Sequence, residues 1–181
     1  MNSLAQDLLS YLKDIPADRR VGQAGLEALS LGQAAADRLP EELAQTLRTE
    51  LRQYGAPVHI IRTVPARMKY DREEIRVTAG ESIRLIFENN DTMPHNLVLV
   101  TIGSREEVGR AADEMATQPR AWEKGYVPES KKVLQATRLL KPGESELLTF
   151  NVPSKPGKYE FVCTFPGHWR TMYGVFNVNP G

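Results

Sequence analysis

The sequence predicts a mainly β protein: an antiparallel Greek-key sandwich with one inserted helix, preceded by a small α-helical N-terminal segment. Three observations predict it. Leucines at four-residue spacing mark the first third of the chain, short β-branched runs fill the rest, and one helical pattern interrupts those runs. A length of 181 residues fits one ordinary domain with a small appendage. The expected division is a helical segment over 1–57, packing on the sandwich, and a β domain over 58–181.

The helical elements come first. Leu4, Leu8 and Leu12 share one face from Ser3 to about Asp14, and Pro16 ends that run. A second stretch, Ala24 to Ala36, is rich in Ala and Leu but interrupted by Gly32. The third has Pro40 in its first turn, Leu43, Leu47 and Leu51 on one stripe, and Gly55 as its stop.

From Val58 the texture becomes β. Val58 to Val64 and Ile75 to Val77 are short β-branched runs, Ser82 to Glu88 alternates Ile83, Leu85 and Phe87, and Asn96 to Thr101 is apolar. Turn clusters begin at Ala79, Asn89, Lys141 and Lys155. The inserted helix starts at Ser104, where SREE predicts a capping box between Ser104 and Glu107, with Val108, Ala111, Ala112 and Met115 on its apolar face. Trp122 and Tyr126, near its end, read as packing residues. Glu146 to Val152, Gly157 to Cys163, and Tyr173 to Val178 complete the strands.

Composition narrows the function. Lys+Arg and Asp+Glu are equal at 23 each, so the chain lacks the basic excess with which nucleic-acid binders neutralise phosphates. No apolar run approaches the ~20 residues that span a bilayer. The N-terminus has acidic residues early and lacks the basic, apolar, small-residue order of a secretory signal. A single cysteine forms no internal disulfide, which makes it a candidate ligand, a nucleophile or a buried apolar residue.

The segment Cys163-Thr-Phe-Pro-Gly-His168-Trp-Arg-Thr-Met172 decides among these. Tyr159, Phe161 and Cys163 share one strand parity, so a core-facing Tyr159 and Phe161 bring the thiol to the core. Thiol, imidazole and thioether then follow on a loop that doubles back into the last strand. Thiolate and thioether are soft donors that favour copper(I), and imidazole accepts either oxidation state. A His2Cys plane with a distant Met is the arrangement of blue-copper electron-transfer sites. His59 and His95 are the other histidines. His59 lies inside an apolar run and reads as a strand residue. His95 lies in MPHN, at the end of a strand that a sandwich can bring beside the Cys163 loop.

CTFPGHWRTM closely resembles the ligand loop of azurins, and MPHN before an apolar strand resembles the upstream histidine motif of plastocyanins, auracyanins and azurins. The interval between His95 and Cys163 leaves room for the inserted helix that azurins also carry. The resemblance covers roughly residues 68–181. It implies an eight-stranded cupredoxin sandwich, one copper ion bound by His95, Cys163, His168 and the weak axial Met172, and one-electron transfer without enzyme activity. It further implies that Asn96 ties the two ligand loops together and that the Phe165 N–H donates to the Cys163 sulfur, while Pro166 has no N–H to add. Pro94 stands where azurins carry glycine, as in plastocyanins, and the chain cannot form the azurin disulfide. An apolar patch of Met93, Pro94, Phe165 and Trp169 around His168 is the expected electron port.

Other functions fit less well. Multicopper enzymes need further histidine-rich centres, and only His59 remains; a dinuclear copper-A site needs two cysteines. Zinc prefers carboxylate to thioether. The alternative set beside electron transfer is a metal-free or zinc-occupied cupredoxin-fold interaction module. Cupredoxins normally work outside the cytoplasm, so the sequence reads as a piece of a larger periplasmic or otherwise extracytoplasmic protein. Its expected partner is a redox protein or a fused dehydrogenase or haem domain.

Overall fold

A computed structural model of the chain describes residues 3–16 and 19–181, with side chains from Gln6 onward. Three helices form: α1 (Ser3–Asp14) and α3 (Glu41–Arg52) where the leucine spacing predicted them, and α2 (Gln23–Ala36) over the stretch rich in Ala and Leu. Leu8 and Leu12 are buried, whereas the Leu4 side chain lies outside the described residues. The α3 stripe differs from expectation. Leu43 is exposed, and Ala44, Leu47, Arg48 and Leu51 face inward, with Arg48 paired to Asp37 at 2.9 Å. Gly32 does not interrupt α2. It lets α3 approach: a Cβ there would stand 2.8 Å from a Leu51 methyl.

The strands are β1 (Val58–Val64), β2 (Lys69–Tyr70), β3 (Glu74–Thr78), β4 (Ser82–Glu88), β5 (Val98–Val100), β6 (Val133–Ala136), β7 (Ser145–Asn151), β8 (Gly157–Val162) and β9 (Tyr173–Asn179), with α4 (Arg105–Met115) between β5 and β6. They make a four-stranded sheet, β2-β1-β4-β7, and a five-stranded sheet, β3-β9-β8-β5-β6. The extra strand over the expected eight reflects the two-residue β2, which pairs only Thr63 with Tyr70 and Val64 with Lys69. The pairing is not wholly antiparallel either, because β3 runs parallel to β9.

Two compact units can be distinguished. One contains the three helices with Val58–Ile60, Ser82–Leu85 and Thr149–Asn151. Within it, Val58–Ile60 of β1 has no strand on its outer edge among the described residues, and the Ser30 hydroxyl accepts the Ile60 N–H at 2.9 Å. The other unit contains α4 and the remaining strand residues. Its core alternates as period-two strands require: Phe176 and Val178 of β9 and Tyr159 and Phe161 of β8 are buried. Val162, of opposite parity, is buried too, because it packs with Val98, Val100, Val108 and Trp169 beneath α4. No helix among the described residues is long and apolar enough to cross a membrane.

Candidate metal centre

Cys163 follows β8 with its thiol fully buried, as strand parity requires. The chain then turns through Gly167, at φ +81°, a left-handed conformation that glycine adopts without strain. A short 3-10 turn, His168–Arg170, returns it toward β9. Met172, also fully buried, sends its N–H to His168 O at 2.8 Å and accepts the Cys163 N–H at 3.0 Å. Thiol, imidazole and thioether residues are thereby closed into one loop. His95 arrives from the other side, held by reciprocal backbone bonds with Leu140 of 3.1 and 2.8 Å.

The three strong donors converge. The Cys163 sulfur lies 3.7 Å from Nδ1 of His95 and 3.7 Å from Nδ1 of His168, and the three donor atoms fall within 4.8 Å of one another. His95 is fully buried and His168 nearly so. Burial pushes the Cys163 thiol up to about 12, against backbone hydrogen bonds from Asn96 and Phe165 that favour the thiolate. Burial likewise lowers His168 to about 4, with His95 adding to the effect and Asp91 opposing it. The chain thus presents two neutral imidazoles and a thiol that releases its proton only when a cation replaces it. This soft, nitrogen-and-sulfur donor set suits copper. His59 is buried in β1 and does not belong to the cluster.

Two networks hold the donors. Asn96 donates to Thr164 Oγ1 at 2.7 Å and to Gly125 O at 2.8 Å, while its carbonyl accepts the Thr164 N–H at 2.8 Å. The loop before His95 is shaped by Asn89, whose amide donates to Met93 O and Leu140 O. Asp91, on the same turn, reaches His95 Nε2 at 3.1 Å. Sequence reasoning found Asn96 but missed Asn89 and Asp91, since NNDT reads as an ordinary polar turn.

Trp169 departs from expectation. It is 8% exposed and turns under α4, not outward beside His168. A Cβ on Gly109 would stand 2.3 Å from its ring, so only a glycine there admits it. Asp113 of α4 accepts its indole N–H at 2.9 Å, the Gly167 N–H at 2.8 Å and an Arg170 guanidinium N–H at 3.0 Å. The expected capping box is also absent: Ser104 makes no cap bond and meets Thr101, and Glu107 pairs with Lys132. Phe165 packs on His168 at 4.8 Å between ring centroids; Pro94, before His95, is half-buried and Met93 is exposed. Trp122, expected to pack, is 51% exposed and meets Tyr126 edge to face.

Residues 60–179 match the family described as copper binding proteins, plastocyanin/azurin family. The chain belongs to that family. Among curated relatives it is 32% identical over 114 residues to auracyanin-A of Chloroflexus aurantiacus, covering 62% of this chain and 68% of that one. It is 36% identical over 91 residues to an azurin of Pseudomonas aeruginosa, covering 49% of this chain and 58% of the azurin. The crystal structure of dithionite-reduced auracyanin from Roseiflexus castenholzii superposes with a TM-score of 0.60 at 32% identity, over 68% of this chain and 97% of that one. The fold is a cupredoxin fold, and His95, Cys163 and His168 form its candidate copper site, one per chain.

Proposed function

We propose that the chain transfers single electrons through one type 1 copper held by His95, Cys163 and His168, with Met172 as the weak axial ligand. The observation that carries this reading is the convergence of two Nδ1 atoms on one buried thiol sulfur, each at 3.7 Å. When bound, copper supplies a one-electron couple between its cuprous and cupric states. The protein's part is to hold the donors still. Asn96 locks the upstream loop to Thr164, and the N–H groups of Asn96 and Phe165 stabilise negative charge on the sulfur. Pro166 adds no donor, which leaves that charge available for bonding. Complete burial of His95, Cys163 and Met172 keeps water from the donors.

An electron enters from a reduced redox protein, or from a fused dehydrogenase or haem domain, and leaves to an oxidised one; no substrate is transformed. The support for the port at His168 is its place on the ligand loop and its packing against Phe165; Trp169, buried under α4, is not part of it. The family match beginning at residue 60 supports the division into a helical segment over 1–57 and a copper domain over 58–181. Likeness to azurins and auracyanins supports work outside the cytoplasm. Intact donors speak against the metal-free alternative, and a thioether in the fourth position suits zinc less well than a carboxylate would. Anaerobic titration tests the reading: the copper(II) protein should take up one electron per chain from a reductant and return it to ferricyanide. Failure to cycle, in a protein that retains its copper, would sink it.

A further inference from the structure

Asp91 lies on the turn that delivers His95 and is 5% exposed. Its two oxygens do different work. Oδ1 accepts the backbone N–H groups of Ala66 at 3.1 Å and Thr92 at 2.7 Å, with the Thr92 hydroxyl at 3.4 Å. Oδ2 faces His95 Nε2 at 3.1 Å. The opposite ring nitrogen, Nδ1, faces the Cys163 sulfur. The fully buried imidazole is therefore strung between a carboxylate and the metal position. Among the described residues, this carboxylate has no lysine or arginine within ion-pair distance.

An ionised carboxylate can only accept, so the hydrogen of a neutral ring belongs on Nε2, and Nδ1 presents its lone pair to the metal. A buried anion next to a ligand ring also acts through a medium that screens poorly, which favours the more positive oxidation state. We propose that Asp91 is a positioning residue that fixes the His95 tautomer for copper and holds the reduction potential down. The inference rests on the copper reading above, but its first half concerns the metal-free chain.

Nitrogen-15 correlation spectra of the metal-free wild-type chain should show His95 as the Nε2–H tautomer. In Asp91→Asn, Oδ1 can still accept from Ala66 and Thr92, while an amide donor now faces Nε2. That variant should shift toward Nδ1–H. After copper loading, its cuprous state should gain at least about tenfold, a rise of about 59 mV in a one-electron couple. A purely structural turn residue would move neither reading. Wild-type His95 found as Nδ1–H, or an unchanged potential in a copper-loaded Asp91→Asn, would overturn the proposal. The wild-type tautomer decides it even if the variant does not fold. Failure of the copper reading shows separately, as a wild-type chain that cycles no electron.

Discussion

At the scale of single residues, Cys163 controls the chemistry, because a buried thiol becomes a thiolate only against a cation. Cys163→Ser should abolish the thiolate-to-copper absorption while leaving the fold intact, since a hydroxyl is a hard donor and is not ionised near neutral pH. A surviving band in that variant would place the sulfur elsewhere. Met172 should tune the site instead of creating it. Met172→Gln supplies an oxygen that favours copper(II) and should lower the potential; Met172→Leu removes the donor and should raise it, each by about a tenfold step or more, about 59 mV. Voltammetry that finds neither shift would remove Met172 from the ligand set. His95, Cys163 and His168 were legible because ligand types at fixed spacing are rare by chance. Asp91 was not. Its role depends on a turn geometry, set by Asn89 and Ala66, that makes one carboxylate oxygen meet a ring four residues on.

At the scale of elements, α4 acts as a clamp on the ligand loop. Burial alone would raise the Asp113 carboxyl, but donors from Trp169, Gly167 and Arg170 outweigh it and hold the group below the usual range. A carboxyl depressed in the folded state contributes stability above its unfolded value of about 3.9, and that contribution is lost as pH falls through the folded value. Asp113→Asn keeps an acceptor for Gly167 but loses one partner and the charge. It should cost about 1–3 kcal/mol at pH 7. Urea titrations should find that difference shrinking steadily below about pH 4. A pH-independent difference would mean that the charge is not what matters. The existence of α4 was legible in its apolar face at Val108, Ala112 and Met115. Its function was not, because Gly109 and Asp113 look like ordinary helix residues until Trp169 is seen beneath them. That contact also explains why the indole is buried.

At the scale of the whole molecule, strands with strong alternation, such as β4 and β9, were predicted nearly to their ends. β2 and β6 were missed, because two and four residues carry too little period to detect, and the parallel β3–β9 pair depends on partners far apart in sequence. Helix α2 covers a stretch of strand edge that has no strand partner, where exposed N–H groups invite unwanted pairing. Ser30→Ala should leave the Ile60 N–H without its acceptor and cost about 1–3 kcal/mol of stability in thermal unfolding. Copper absorption should not change; if it does, the helices bear on the metal centre. The copper centre itself is tested most directly by visible absorption and electron paramagnetic resonance of the full chain loaded with copper(II). An intense thiolate-to-copper band with narrow hyperfine splitting is the predicted result. A weak ligand-field band with the wide splitting of ordinary tetragonal copper would contradict it.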